Sequence, residues 1–165
     1  MDYMIRKVRF GDENDLAYIQ TESWKTAFAD ILSEEVLNRV VDMRRSVAMY
    51  KRLLDEEVGN GYILEVNGVP HCIAWWDRAR DEDVPDYAEL ICIHSLQGNW
   101  RKGYGTRMME TILKDMKAEG YARVILWVFE GNHRARKFYE ALGFVFSGKT
   151  KPCLETQEVC YIRDL

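Results

Sequence analysis

The sequence predicts a single domain of the α/β class. Three observations carry this prediction. Strand-like alternation and helical spacing of apolar residues follow one another along the chain, the dipeptide Asn67-Gly68 joins two apolar runs, and a glycine-rich segment separates a buried apolar run from a helical one. The chain has 165 residues, of which 47% are hydrophobic, so it can bury the core of one ordinary domain.

The first third of the chain is predicted to be one strand followed by helices. Residues 3–9 alternate in the manner of an edge strand. Gly11-Asp12 then opens a first helix. A second helical region extends from Ser33 to about Glu57, where apolar residues recur at helical spacing and Ser33 stands in the position of a cap.

A hairpin and a buried strand are predicted next. Residues 62–66 and 69–76 flank Asn67-Gly68, a dipeptide that adopts positive φ readily and therefore favours a two-residue turn. An acidic connection follows this hairpin. The run from Ala88 to Leu96 then has the continuous apolar character of a buried strand.

The last third is predicted to alternate between helices and strands. A helix from Tyr104 to about Glu119 places an apolar stripe on one face and ends at Gly120. A strand, a short helix and a closing pair of strands around an irregular link follow at residues 124–129, 134–142, 144–147 and 158–162.

The charge and cysteine distributions exclude several classes of protein. The net charge is −4 and neither sign forms a block, so we expect no nucleic-acid partner. The first ten residues contain no apolar signal segment and no later stretch approaches the length of a membrane span, so we expect a cytoplasmic protein without a membrane partner. The four cysteines are scattered without C-x-x-C spacing, which indicates reduced thiols and no metal site.

The segment from Trp100 to Thr106 has the features of a phosphate-binding loop. It lies between a predicted strand and a predicted helix, where unpaired backbone N–H groups and the helix dipole attract an anion. Gly103 and Gly105 let the backbone approach phosphate oxygens closely, and Arg101 and Lys102 add positive charge. The P-loop pattern G-x-x-x-x-G-K-[ST] is absent, and the third glycine of a dinucleotide fingerprint is missing.

A second pattern, at residues 126–144, makes the comparison specific. A strand is followed by Asn132 and then by the segment A-R-K-F-Y-E-A-L-G-F. Together with the glycine loop, this order resembles the GNAT superfamily of N-acetyltransferases, in which a strand, an R/Q-x-x-G-x-G/A loop, a helix, a strand, an Asn and an A-x-x-F-Y-x-x-x-G-F helix occur in succession. The resemblance is strong over residues 88–148. Trp100 departs from it, because it occupies the usual Arg or Gln position three residues before Gly103.

The resemblance implies a fold and an activity. The fold is that of the acyl-CoA N-acyltransferases, with a central mixed, mostly antiparallel sheet of six or seven strands flanked by about four helices. The activity is transfer of an acetyl group from acetyl-CoA, the cosubstrate, to a primary amine of a small molecule or peptide by direct attack in a ternary complex. The cofactor is expected where the strands that begin at Ala88 and Val124 part. Whether the protein forms a homodimer stays open.

The resemblance also assigns cofactor-binding residues. The backbone of Ile93, His94 and Ser95 is expected beside the pantetheine arm. Six loop residues are expected to hold the pyrophosphate: Arg101, Lys102, Gly103, Tyr104, Gly105 and Thr106. Asn132 is expected to hydrogen-bond the cofactor, although Asn at this position also caps a helix well.

Two residues are candidates for proton transfer. Tyr139 follows Asn132 by seven residues, or two helical turns, so both project toward the same edge of the sheet. The resemblance implies that its phenol protonates the departing thiolate, and a core aromatic is the alternative.

The acceptor amine needs a base, because an amine with a pKa of about 10.4 is almost entirely protonated at pH 7. Glu89, fourteen residues before Gly103, corresponds to the strand-borne glutamate of the histone-acetylating branch. A Glu that is paired within the sheet or hydrated at a strand end is the alternative.

The acceptor side is predicted from aromatic residues. Trp24 and Phe28 belong to a segment similar to the S-W-x-x-A-Y/F of some GNAT members, whose first helix walls the acceptor site. Trp75 can add an aromatic wall that attracts an ammonium group, and ordinary core packing is its alternative. Two other functions stay open. These are a non-catalytic CoA-binding module of the same fold, and a flavodoxin-like or dinucleotide-binding protein.

Overall fold

The computed structural model describes residues 2–165 of the protein, with the backbone alone at Asn99. Within these residues the chain forms one seven-stranded sheet with five α-helices packed on its two faces. The strands are β1 (Tyr3–Lys7), β2 (Asn60–Val66), β3 (Val69–Arg78), β4 (Ala88–Ser95), β5 (Arg123–Phe129), β6 (Val145–Cys153) and β7 (Thr156–Asp164). The helices are α1 (Glu13–Ala27), α2 (Glu34–Val40), α3 (Met43–Asp55), α4 (Tyr104–Ala118) and α5 (His133–Ala141). None of these helices is both long and apolar enough to cross a membrane.

The sheet is antiparallel except at one pair of strands. The strand order is β1-β2-β3-β4-β5-β7-β6, and only β4 and β5 run parallel. This confirms the predicted mixed, mostly antiparallel sheet. β4 and β5 pair only between residues 88–90 and 124–126, and beyond these residues they part. The facing edges of their later halves have no ladder partner, which leaves backbone N–H and C=O groups available to a ligand.

Alternate residues of the central strands supply two separate cores. Tyr62 and Leu64 of β2 pack with α4 and α5 on one face of the sheet, whereas Ile63 packs with α1 and α3 on the other. The predicted apolar stripe of α4 is confirmed, since its fully buried residues are Met108, Met109, Ile112 and Met116. α2 packs separately against Phe129 at the end of β5.

Two predicted turns have the backbone that their residues favour. Asn67 and Gly68 have φ values of 52° and 79°, the two positive values that a type I′ hairpin turn needs. Gly120 follows α4 with a φ of 98°, a conformation that residues with a Cβ rarely adopt. The hairpin and the end of the helix are therefore confirmed at the residues predicted for them.

The helical region predicted over residues 33–57 is wrong in one respect, because it is two helices. Ser33 caps α2 with its hydroxyl. Val41 then adopts an extended conformation, and Asp42 begins α3 by accepting a hydrogen bond from the Arg45 amide. Asp favours an N-cap over a helix interior, so the chain breaks here. The described residues consequently form five α-helices instead of about four.

The closing strands are longer than predicted. β6 and β7 form a hairpin that includes most of the residues predicted as an irregular link. The register shifts between Phe146 and Thr150, where Gly148 has a φ of 88°. Such a bulge interrupts the alternation of side chains along a strand. The apolar pattern therefore did not reveal β6 as a continuous strand.

Candidate functional site

A cavity of about 1010 Å³ opens where β4 and β5 part. Its walls include residues 91–95 of β4 and 127–129 of β5, whose facing edges do not pair. Toward α4 it meets the glycine loop, and toward the opposite face it meets residues of α1 and α3. We call these parts the loop end and the acceptor end. The cavity therefore connects the two faces of the sheet.

The loop end is built by the start of α4. Gly103 is the N-cap residue with a φ of 82°, and Arg101 has a φ of 62°. No side chain caps this end, so the amides of Gly105 and Thr106 have no acceptor within the helix. A Cβ at Gly103 would meet nothing within 4 Å, so the space beside it is open to a ligand. Amides beside open space at a helix start fit a phosphate group.

Five of the six predicted loop residues line the cavity, namely Arg101, Gly103, Tyr104, Gly105 and Thr106. Lys102 is exposed and is not part of the wall. The two glycines have different physical roles. A Cβ at Gly105 would lie 3.2 Å from the Phe138 ring, so glycine there lets α4 pack closely on α5, whereas Gly103 supplies the left-handed turn.

The predicted pantetheine wall lies along β4. Ile93, His94 and Ser95 all line the cavity, and β3 occupies only one edge of this segment. Ser95 Oγ is buried and has no hydrogen-bond partner among the described residues. A buried hydroxyl without a partner costs free energy unless a ligand or water supplies one. The open strand edge and the Ser95 hydroxyl both fit a ligand arm that carries amide groups.

Asn132 lies at the start of α5 and lines the cavity. Its Oδ1 accepts a hydrogen bond from the Ala135 amide at 3.2 Å, so the residue caps the helix. The same side chain keeps its NH₂ group, which donates to none of the described residues. Asn132 can therefore cap α5 and donate to a ligand at the same time.

Tyr139 brings a phenol to the wall of the cavity. The residue is 8% exposed, and its ring packs against Phe138 and Phe144 at centroid distances of 5.5 and 5.9 Å. Burial raises its pKa well above the ordinary value, the Cys92 thiol adds to this, and the charge of Arg134 partly offsets it. The hydroxyl is therefore protonated at neutral pH, and it makes no hydrogen bond with the described residues.

Glu89 is buried and paired with Arg80. Its Oε1 accepts hydrogen bonds from the Arg80 amide and Nε, at 3.0 and 3.2 Å, and its Oε2 accepts one from Arg80 Nη2 at 2.6 Å. The Glu89 side chain is 3% exposed, whereas that of Arg80 is 66% exposed. Arg80 lines the cavity, while Glu89 borders a neighbouring cleft with Lys149 and Lys151. A base role for Glu89 thus requires that Arg80 move aside.

His94 is held from the opposite face by Trp24. The Trp24 indole Nε1 donates to His94 Nε2 at 3.2 Å, across 70 residues of sequence. Burial lowers the pKa of His94 to about 4. The ring is therefore neutral at pH 7, and the hydrogen bond assigns its proton to Nδ1. In this arrangement His94 is a hydrogen-bond donor and a poor base.

Aromatic rings form much of the acceptor end. Trp24 and Phe28 pack with centroids 5.6 Å apart, and Phe28 meets Phe129 edge-on at 4.9 Å. Trp75 is different, because it is only 4% exposed and a Cβ at Gly61 would lie 2.3 Å from its ring. Trp75 therefore packs mainly in the core and reaches the cavity at one edge. Trp24 and Phe28 are the larger aromatic contribution to the wall.

Charged groups on the acceptor side are mixed. Asp77 and Glu158 line the cavity and form no ion pair with the described residues. Carboxylates without an ion-pair partner beside aromatic rings suit an ammonium group through charge attraction and cation–π contact. Arg52 lines the same side, so the wall also carries positive charge.

The cysteines are free thiols. Cys92 lines the cavity, and burial raises its pKa to about 12, so it stays protonated and is a weak nucleophile at neutral pH. Burial has the same effect on Cys72. Among the described residues no three His, Cys, Asp or Glu side chains are grouped as a metal site.

Among the wall residues that sequence reasoning missed, three bear directly on the chemistry of the cavity. Arg134 lies one helical turn before Phe138, so the spacing of the α5 motif could have placed it on the face that meets the loop. Phe129 ends the apolar run of β5, and its place at the end of that strand indicated only weakly that it lines the cavity. Arg80 lies in the connection before β4, where no pattern indicates that it covers Glu89.

A family model described as "Acetyltransferase (GNAT) family" matches residues 27–144. In sequence, the chain is 26% identical over 147 residues to a protein of Mycobacterium tuberculosis named "Probable N-acetyltransferase", and the match covers 88% of this chain and 82% of that protein.

Solved structures of similar fold include two that contain coenzyme. The PaiA N-acetyltransferase of Thermoplasma acidophilum, in complex with coenzyme A, has a TM-score of 0.80 and 20% identity, with 100% of both chains covered. YncA of Salmonella typhimurium, with its cofactor acetyl-CoA, has a TM-score of 0.75 and 17% identity, with 98% of this chain and 93% of that chain covered. At these identities the likeness to solved structures shows the fold alone. The family assignment rests on the family model, which matches most of the chain. The protein belongs to the acetyltransferase (GNAT) family.

Proposed function

We propose that the protein is an acetyl-CoA-dependent N-acetyltransferase that transfers an acetyl group to a primary amine of a small molecule or peptide by direct attack in a ternary complex. One observation carries the proposal. A single cavity joins the glycine loop to an aromatic acceptor end and passes the phenol of Tyr139. Family membership supports acyl transfer, and the neighbours solved with coenzyme A or acetyl-CoA support the choice of cosubstrate.

The residues at the loop end fit the coenzyme. The amides of Gly105 and Thr106 donate to the pyrophosphate, and the charge of Arg101 adds attraction. The open edge of β4 and the unpartnered Ser95 hydroxyl hydrogen-bond the pantetheine amides. Acetyl-CoA supplies a thioester, whose acetyl group is transferred and whose sulfur leaves as a thiolate.

Tyr139 serves as the general acid in this proposal. Its raised pKa keeps the phenol protonated, and its hydroxyl has no competing partner within the described residues. The packed rings of Phe138 and Phe144 hold it in one orientation. A fixed, protonated donor in the cavity can deliver a proton to the leaving sulfur.

The acceptor's proton needs a separate route. An amine with a pKa of about 10.4 is almost entirely an ammonium ion at pH 7. In our proposal this ammonium group displaces the exposed Arg80 guanidinium from Glu89, and the carboxylate then takes the proton directly or through water. His94, with a pKa of about 4, is a poor base and stabilises the site as a donor.

A panel of amines tests the proposal. Polyamines, amino acids, aminoglycosides, peptides with free N-termini and lysine peptides are each incubated with protein and acetyl-CoA, while release of free thiol is followed. We expect thiol release that depends on one class of amine, and a product that carries the acetyl group on nitrogen. Tight binding of coenzyme A without amine-dependent thiol release would indicate the non-catalytic module instead. Binding of NAD or FMN in preference to coenzyme A, measured by calorimetry, would contradict the cosubstrate.

A further inference from the structure

Trp100 is fixed at the loop end by two contacts. Its indole Nε1 donates to the backbone carbonyl of Ser95 at 3.0 Å. The Arg134 guanidinium carbon lies 3.6 Å from the centre of its ring, which is close stacking for a cation on an aromatic face. Both residues line the cavity. Trp100, which stands in the place of the usual Arg or Gln of the loop, therefore stacks with an arginine from α5, Arg134.

Arg134 has no anionic partner among the described residues. It forms neither an ion pair nor a hydrogen bond with these residues, and its guanidinium stacks on the Trp100 ring. Burial is the main cause of a lowered pKa, the Tyr139 phenol opposes it, and the charge of Arg101 adds to it. Although stacking covers part of the guanidinium, Arg134 as a whole is exposed, so its N–H groups can donate to an anionic ligand at the loop end.

The helix holds Arg134 against the loop. Arg134 and Phe138 are four residues apart and share one face of α5. The Phe138 ring is 3.2 Å from the point where a Cβ on Gly105 would lie, so this face packs on the first turn of α4. Arg134 is thereby presented at the same end of the cavity as the unpaired loop amides.

We propose that Arg134, stacked on Trp100, binds the pyrophosphate of the coenzyme in place of the arginine or glutamine that the loop lacks. This inference rests on the proposed function, because it assumes that the loop end holds coenzyme. Stacking covers the face of the guanidinium and leaves its N–H groups in the plane free to donate. Two parallel N–H bonds to phosphate oxygens then add to the amides of the loop.

Coenzyme affinity of an Arg134→Met variant tests the proposal. The change keeps an unbranched side chain and removes the charge and the N–H donors. We expect the dissociation constants of coenzyme A and of dephospho-coenzyme A to rise together by about 10- to 100-fold, since charged hydrogen bonds contribute about 1.5–3 kcal/mol. A loss seen with coenzyme A alone would overturn the proposal, because it would place Arg134 on the 3′-phosphate.

Arg107→Met is the matched control. Arg107 lies in the first turn of α4 but off the cavity wall, where it donates to Tyr3 Oη at 3.0 Å. Its loss removes one positive charge from the same region, so affinity equal to that of the parent is expected. An equal loss in both variants would show a general charge effect and would contradict a contact by Arg134.

A second variant restores the missing group at the loop. Trp100→Arg in the Arg134→Met background returns an arginine to the usual position, and we expect it to recover at least part of the lost affinity. The melting temperature of each variant separates lost binding from lost folding. If the parent fails to bind coenzyme A, the proposed function has failed. If the parent binds and Arg134→Met binds equally well, only this inference has failed.

Discussion

The two side chains proposed to transfer protons are in opposite situations, because Tyr139 lines the cavity and Glu89 lies behind Arg80. The Tyr139 ring is buried, and its hydroxyl lies at the cavity wall without a hydrogen-bond partner among the described residues. The Glu89 carboxylate is buried with three donors from Arg80. A free donor is ready to act on a ligand, whereas a saturated acceptor must first be released. The proposed acid, Tyr139, is therefore ready to donate, whereas the proposed base, Glu89, is covered by Arg80.

Removing the hydroxyl of Tyr139 tests its role as acid. We expect Tyr139→Phe to lower turnover by about 100-fold, because a positioned proton donor contributes roughly 10²–10⁴-fold. Coenzyme affinity and melting temperature should change little, since the ring still packs between Phe138 and Phe144. Turnover is measured at saturating substrates with chemistry shown to limit the rate. Unchanged turnover under those conditions would exclude the acid role.

Glu89 and Arg80 are tested as a pair. Glu89→Gln should depress acetylation by about 100-fold at pH 7 and recover at high pH, where the free amine no longer needs a base. Arg80→Met breaks the same ion pair but retains the carboxylate, so its pH–rate profile should match that of the parent. A uniform loss across pH in both variants, with lower melting temperatures, would instead assign the pair to stability.

The start of α4 is the element that most directly defines the loop end. Gly103 and Gly120 stand at its two ends with φ values of 82° and 98°, and a Cβ at either would meet nothing within 4 Å. Their backbone requirements are therefore alike. Only Gly103 lines the cavity.

This symmetry gives a controlled test of the loop. Gly103→Glu should weaken coenzyme A binding by about 100-fold or more, because a carboxylate would occupy the phosphate region. Gly120→Glu should lower the melting temperature to a similar extent, through the same positive φ, and leave affinity unchanged. Calorimetry and thermal denaturation provide the two measurements. A folded Gly103→Glu protein that binds as tightly as the parent would refute the loop assignment.

Trp24 and His94 link α1 to β4 across the acceptor end. The lowered pKa of His94 makes this link pH-dependent. In the unfolded chain His94 has a pKa of about 6.5, so it binds a proton below that pH. In the folded protein it stays neutral until about pH 4, so the unfolded state gains stability over this interval. The contribution of His94 to stability is therefore complete above pH 6.5 and is lost progressively as the pH falls toward 4.

Denaturant unfolding at two pH values measures this contribution. Between pH 7 and pH 5 we expect the parent to lose on the order of 1 kcal/mol through His94, less than the full shift would give because the ring borders the cavity. His94→Gln should remove that part of the pH dependence. His133→Gln is the control, since His133 is exposed at the start of α5. An unaltered pH dependence in His94→Gln would contradict burial of the neutral ring.

At the scale of the whole molecule, the parting of β4 and β5 divides the sheet. Four strands lie on the β4 side and three on the β5 side, and the two groups pair directly over residues 88–90 and 124–126. Ligand that fills the gap contacts both groups. Coenzyme binding should therefore stabilise the domain as a unit.

Thermal denaturation with coenzyme A checks this coupling. At a ligand concentration one hundred times the dissociation constant, the added stability is about 2.7 kcal/mol, which corresponds to a rise of about 5–10 °C in Tm. Amide exchange should slow most along residues 91–95, whose open edge would gain hydrogen bonds. Protection confined to α4 would show that the ligand does not enter the gap.

The local elements and the family were open to prediction from the sequence. Periodicity identified most strands and helices, Asn67-Gly68 located the hairpin, and the glycine loop with the Asn132 and Tyr139 segment identified the family. These features depend on neighbouring residues, because φ requirements and side-chain periods act over a few positions. The break at Asp42 and the bulge near Gly148 were missed, since a cap and a bulge each interrupt a period that the pattern otherwise continues.

Tertiary structure alone decided how side chains from separate elements pair in and around the cavity. The pairing of Glu89 with Arg80, the bond from Trp24 to His94 and the stack of Arg134 on Trp100 join residues from separate elements. No sequence period relates such residues, because their distance depends on how whole helices pack on the sheet. The sequence by itself therefore determined the fold and the candidate residues. The packing decided that Tyr139 is free, that Glu89 is covered and that Arg134 faces the loop.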